Sequence, residues 1–283
     1  MELKRVKYEQ HEEVAWITVT RQEQRNAISR RIYAELDFAF KKAEEDDSVK
    51  VVVVGGEGEH FGGGHDLGTA EMMGELDQFP RDMSPLGRVK AMDTGVYWRM
   101  HESWRNLAKP TIAMVQGYCI MGSWMLAASC DIIIAADDAK FADRSVRWGG
   151  VHHEYATHFL DLGLRRAKEH LWTGDFITAN EAEKLGMVNH VVSKDNLRSA
   201  TEWLANRIAL NDLYALKMSK LSMNQAADIL GHGAAIRASS NLWLVGGGRD
   251  RGNPSAPGGR VAWSKQQNER FDQHERDKGN RPW

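Results

Sequence analysis

The sequence predicts an α/β protein built around a mostly parallel sheet, and three observations carry that prediction. Val51–Val54 is a run of four valines, the mark of a strand buried on both faces. Thr111–Val115 and Ile132–Ala136 are further short apolar runs of the same kind. Stretches of helical period lie between them, and such alternation implies right-handed crossovers joining parallel neighbours.

Each element has its own reason. Val14–Thr20 (VAWITVT) is rich in β-branched and aromatic residues and reads as a strand. Over Asn26–Glu45, Ile28, Ile32, Leu36, Ala39 and Ala43 recur at helical spacing. The Glu71–Pro85 region bears Met, Gly and Pro and reads as an irregular, mobile loop. Arg88–Leu107 is helical and stopped by Pro110. A short helix is expected over Gly122–Cys130. From His158 onward the chain turns helical, around Ala167–Thr173, Ala179–Leu185, Leu197–Ala209, Leu213–Asp228 and Ala234–Leu244, with a strand at Met187–Val192. The end, Gly246–Trp283, is polar and Gly-rich, then mixed in charge. It reads as a tail, disordered or laid on a neighbour, with a short helix near Ser264–Gln273.

Composition removes several function classes. Lys+Arg 37 against Asp+Glu 39 gives a net charge of -2, so the chain has no general attraction to phosphate backbones and nucleic acid is not an expected partner. Two cysteines, Cys119 and Cys130, are too few for a disulfide scaffold and fit a reducing, cytoplasmic setting. Pro110–Cys130 lacks charged side chains over a membrane-spanning length, but it holds Gln116, Gly117, Ser123 and Ser129. A buried strand followed by a buried helix is the better reading, and no membrane partner is expected. Ten tryptophans remain unexplained by these counts.

Two glycine-bearing turns follow strands. In VVVVGGEGEHFGGGHDLG, Gly56, Gly58 and Gly62 are spaced one residue too widely for the dinucleotide fingerprint, and no Gly-Lys-Ser/Thr follows. Glu57, Glu59 and Asp66 would repel phosphate as well. The second turn, Gln116–Gly122, lies between the strand at Thr111–Val115 and the helix from Gly122. Turns at the ends of neighbouring strands can aim two main-chain N–H groups at one oxygen.

At this point the chain resembles the enoyl-CoA hydratase/isomerase (crotonase) family. The resemblance rests on four blocks in order: TRQEQRNAIS, the glycine segment above, KPTIAMVQGYCIMGSWMLAASCDIIIAADDAKF and LWTGDFITANEAEKLGMVNHVV. It implies a ββα spiral core over 1–190, a helical oligomerisation (trimerisation) region over 191–245 and the polar tail over 246–283. It further implies a homotrimer or dimer of trimers, an acyl-CoA substrate, and no cofactor beyond the coenzyme A of that substrate. The oxyanion-hole N–H groups would fall on His65 and Gly122. Coenzyme A contacts would fall on Gln24, Arg25, Ala27, Gly63, Asp66 and Leu67, with Arg25 the cation for a phosphate.

The chain departs from the family where hydratases carry their two glutamates. Those positions fall on Met125 and Ser145, and neither side chain acts as a general base at neutral pH. The replacement is sought in GGVHHEYATH, which holds His152, His153, Glu154 and His158. Glu154 is the leading candidate, then His152 or His153, since histidine titrates near neutrality. If Tyr155–Leu162 is helical, Glu154 starts that helix and shares a face with His158. Asp143 is a weaker candidate. No metal is expected, because His153 and His158 are five apart and would miss a common helix face. Altered hydration, isomerisation and C–C cleavage all remain open. So do a non-catalytic acyl-CoA binder and a coenzyme A-independent hydrolase of a cyclic ketone. Trp124 and Trp148 adjoin the replaced positions, and with Met125 and Ser145 they are expected to wall a pocket for a bulky or cyclic acyl group. Trp98 and Trp104 are expected to border it.

Overall fold

The computed structural model describes residues 1–80, 82, 84–93, 96–246 and 259–278. The chain starts with a hairpin that sequence reading anticipates only in part: β1 (Val6–His11) pairs antiparallel with β2 (Val14–Val19). The helix after it, α1 (Arg30–Glu45), begins later than its apolar period implies. Ser29 sets the start, because its side chain accepts the Ile32 N–H and caps the first turn. Strand β3 (Val51–Gly56) is buried at every position, as the valine run requires.

The stretch expected to be an irregular loop contains a short helix, α2 (Ala70–Gly74), capped by the Thr69 side chain. The expected helix Arg88–Leu107 is instead two, α3 (Pro85–Asp93) and α4 (Trp98–Arg105). Then come β4 (Thr111–Val115), β5 (Tyr118–Ile120), α5 (Gly122–Ala128), β6 (Ile132–Ala136) and β7 (Lys140–Ala142). The histidine-rich segment leads to α6 (His158–Asp161) and α7 (Leu164–Thr173). After β8 (Ile177–Thr178), α8 (Ala179–Leu185) and β9 (His190–Val192), the chain is helical: α9 (Leu197–Ala209), α10 (Leu213–Ile229) and α11 (His232–Gly246).

The main sheet orders β1-β2-β3-β4-β6-β9, parallel from β2 onward. A second, smaller sheet orders β5-β7-β8. One face of the main sheet packs on α1, α4 and α5 through Ile17, Val52, Val54, Leu36, Phe40 and Trp104. The other face packs on α9 through Val51, Val53, Ile112, Leu197 and Ala205. Both faces of the parallel strands are therefore covered, which is why they read as continuous apolar runs rather than alternating ones.

The polar tail is not structureless throughout. Gly259–Lys278 forms a helix, α12, longer than expected. Arg147 lies over the Phe271 ring at 4.1 Å, and Trp148 Nε1 donates to Asn268 at 3.3 Å. The parts of the expected tail at 247–258 and 279–283 lie outside the described residues. No helix among the described residues is long and apolar enough to cross a membrane.

Candidate active site

The two glycine turns meet. Ile28 N–H donates to the Gly64 carbonyl, Gly63 N–H to the Arg25 carbonyl, and Asp66 N–H to the Ile28 carbonyl, at 2.7 to 3.0 Å. These bonds zip residues 25–28 onto 63–66. From the other side, Gly62 N–H donates to Tyr118 and Ile120 N–H to Gly62, which brings β5 alongside. The turn from β5 into α5 passes through Met121 at φ 52 and ψ -118, a sparsely populated conformation for a residue with a side chain. Such strain recurs at functional sites, where surrounding structure holds it. Neither the His65 nor the Gly122 N–H takes part in a hydrogen bond with another described residue.

His65 and Gly122 lie side by side. A Cβ placed on Gly122 would fall 2.5 Å from His65 Cε1 and 2.6 Å from Nδ1. Only glycine leaves room for the imidazole there. The His65 ring therefore has a defined place, which sequence reading left unassigned. Its Nε2 lies 2.9 Å from the Glu154 carboxylate, and its Nδ1 lies 3.5 Å from the Tyr33 hydroxyl. A carboxylate only accepts, so Nε2 carries a proton toward Glu154. Burial works to raise the Glu154 pKa, but the imidazole's charge and hydrogen bond hold it below the usual glutamate value. The Glu154 backbone is fixed by Ser240 of α11, whose hydroxyl donates to its carbonyl at 2.7 Å.

Tyr33 and Tyr97 complete this corner. Their rings meet edge-on at 6.4 Å, and Tyr97 lies 5.4 Å from His65. Ile28, Ser29, Arg30, Met72 and Asp66 join them around a narrow cleft enclosing about 20 Å³. Sequence reading missed Tyr33. It falls on the apolar stripe of α1 beside Ile32, so the pattern marks it as core and gives no sign of the histidine it faces.

The remaining site residues divide. Gln24 and Arg25 are exposed, Ala27 and Gly63 are half-buried, and Leu67 is 37% exposed, all along the zipped edge. Asp66 differs: its carboxylate is buried, pairs with Arg21 at 2.7 Å and accepts from Gly68, Thr69 N–H and the Thr69 hydroxyl. Its side chain is committed to the fold and leaves nothing for a ligand. Met125 is buried against Tyr155 and Ile236, with Tyr97 and Trp98 alongside. Ser145 is buried, with its hydroxyl 3.7 Å from the Met121 sulfur.

Two expectations for the histidine segment need correction. Residues 152–157 are irregular and the helix spans only His158–Asp161, so Glu154 and His158 do not share a helix face. The irregular backbone instead brings His153 and His158 together, their rings 4.3 Å apart. His152 and His153 are buried rather than lining the cleft, and burial lowers both pKa values. Trp124 is likewise core. It donates to Asp161 at 3.2 Å and packs edge-on against Phe141 and His153. Trp148 turns toward α12, and Trp104 stacks on Tyr33 and Phe40. Tyrosines, not tryptophans, border the cleft.

A family model described as Enoyl-CoA hydratase/isomerase matches residues 9–243. The chain is 40% identical over 235 residues to EchA13 of Mycobacterium tuberculosis, covering 79% of this chain and 74% of that one. It is 32% identical over 228 residues to a short-chain-enoyl-CoA hydratase of Clostridium acetobutylicum, covering 80% and 83%. The crystal structure of an enoyl-CoA hydratase/isomerase from Xanthobacter autotrophicus superposes with a TM-score of 0.81 at 28% identity, over 95% of this chain and 99% of that one.

Proposed function

The chain belongs to the enoyl-CoA hydratase/isomerase family and has its crotonase fold; from that premise we propose that it enolises an acyl-CoA thioester and moves protons with a single Glu154–His65 pair. The observation that carries the reading is the 2.9 Å contact between those side chains beside Gly122.

The His65 and Gly122 N–H groups would hold the thioester oxygen. Negative charge builds there as the α-proton leaves, and fixed main-chain donors stabilise that charge without reorganising. Glu154 would take the proton. Its depressed pKa keeps it ionised and ready as a base. His65 would orient the carboxylate and share its charge. Gln24, Arg25, Ala27, Gly63 and Leu67 would bind coenzyme A along the exposed edge, with Arg25 on a phosphate. Met125 and Ser145, at the positions the resemblance assigns to the hydratase glutamates, would leave the usual two-base addition of water without its groups. One proton-transfer pair suits isomerisation or cleavage beside the carbonyl better than that addition.

The test follows exchange of α-protons into D2O on a panel of acyl-CoAs, with wild type and Glu154→Gln. Loss of the general base should lower kcat by about a hundredfold or more and leave KM nearly unchanged. Full exchange in the variant would remove Glu154 from the mechanism. Tight acyl-CoA binding with no exchange by the wild type would favour the second reading, a non-catalytic acyl-CoA binder. The burial of Met125 against Tyr155 and Ile236 is the observation that favours it.

A trimer or dimer of trimers is part of the same proposal. Tyr214, Met218, Leu221, Met223, Ile229 and Leu230 are exposed on and just after α10, and an apolar surface of that kind suits subunit contact. Light scattering on the purified chain tests it.

A further inference from the structure

Asp143 follows β7 by one residue, and His153 and His158 stand at the far end of the loop that leaves it. All three are buried, His153 completely. One ligand atom from each lies within 4.8 Å of the other two. His158 Nε2 and Asp143 Oδ2 lie 3.0 Å apart. Other contacts fix the carboxylate: Oδ2 accepts the His153 N–H at 2.7 Å and Oδ1 the Ser145 N–H at 2.8 Å. Trp124 walls the cluster, its ring 4.8 Å from His158 and 5.6 Å from His153.

The second observation is on His153 itself. Neither of its ring nitrogens has a hydrogen-bond partner among the described residues, although the side chain is fully enclosed. Buried polar groups are normally paired, and each exception asks for a reason. Burial keeps this imidazole neutral, and its neighbours hold the Asp143 carboxyl far below the usual range. A neutral imidazole and an ionised carboxylate are the states that ligate a metal. Two imidazoles and one carboxylate suit a divalent first-row transition ion, whereas Ca²⁺ and Mg²⁺ prefer an all-oxygen set.

We propose that Asp143, His153 and His158 bind one divalent transition-metal ion of the zinc class, pinning the Asp143–His158 loop that carries Glu154. The site is separate from the cleft beside His65 and its existence does not depend on the reaction performed there.

The experiment uses the full untagged chain, stripped with chelator and titrated with Co²⁺ as the spectroscopic probe. The expected result is one Co²⁺ per chain with visible ligand-field bands, displaced by Zn²⁺, and a Tm raised by several degrees when Zn²⁺ is added. His153→Gln and His158→Gln should each lose the bands and the Tm shift. A wild-type protein with neither bands nor a Tm shift overturns the proposal, whether or not the variants fold. Bands that persist in the folded His153→Gln, His158→Gln double variant also overturn it, because surface histidines would then be the ligands.

Discussion

Gly122 is the residue on which the candidate site turns, because it decides where the His65 ring sits. A methyl group there would occupy the space of Cε1 and Nδ1, pushing the ring from Glu154. Gly122→Ala should therefore lower kcat by about a hundredfold, the loss typical of a spoiled oxyanion or proton-transfer group. The cause is checked by a cycle with His65→Ala. If displacement of the ring is the mechanism, the alanine at 122 costs much less once the ring is gone; equal loss in both backgrounds would assign the effect to the main-chain turn. His65 and Gly122 enter the candidate site through the resemblance to the family, and Glu154 through its titratable type. The string through Tyr33 was not legible in the sequence. The direction in which His65 points depends on the absence of a Cβ on another strand's turn, and no local pattern records that. The tryptophans mislead for the same reason. Trp124 and Trp148 neighbour site positions along the chain, but their side chains leave for the core and for α12. Trp148→Ala is expected to leave acyl-chain preference unchanged, measured as kcat/KM ratios across an acyl-CoA series.

Between elements, the glycine segment is held by a buried ion pair as well as by its main-chain hydrogen bonds. Arg21 and Asp66 pair with side chains 1% and 0% exposed. Arg21 also reaches Glu71, the Thr69 hydroxyl and the Ala27 carbonyl. The pair therefore joins the end of β2 to the segment carrying His65 and to the start of α2. Removing the Asp66 charge leaves Arg21 enclosed with only the partly exposed Glu71 as counter-charge. Asp66→Asn should destabilise the fold by about 1–3 kcal/mol, read as a lower urea midpoint with unchanged slope. A shift of a few tenths would show that water reaches the site and screens Arg21. The long elements were readable because their periods run over many residues: β4, β6, α8 and α9 lie where the apolar patterns place them. Strands β5, β7 and β8 span two or three residues each, too few for any period to register. Their pairing is decided by tertiary hydrogen bonds, so the small sheet that positions Asp143 and the Gly122 turn could not be seen beforehand.

Across the whole molecule, the histidines set how stability responds to acid. Burial lowers the pKa of His60, His101, His152, His153 and His232, and His101 falls to about 3. His101 is enclosed among Tyr33, Trp104 and Tyr155, with its Nδ1–H donated to the Tyr97 carbonyl at 2.5 Å. In the unfolded chain each imidazole returns to a pKa of about 6.5. Below that value the unfolded state binds protons that the native state refuses, so stability falls as pH falls. The lowered carboxylates, Asp66, Asp143 and Glu154 among them, act in the same direction but only below their unfolded values of about 4. The interval from pH 7.5 to 5.5 therefore isolates the histidines. One fully refused proton costs about 1.4 kcal/mol at one pH unit below the unfolded pKa, and His101 meets that condition. Tm should drop clearly across the interval. In His101→Gln the drop should shrink by the share of one histidine, whatever that variant's stability at pH 7.5. A Tm that holds or rises toward pH 5.5 would mean that these imidazoles gain partners on protonation, contrary to their enclosed surroundings.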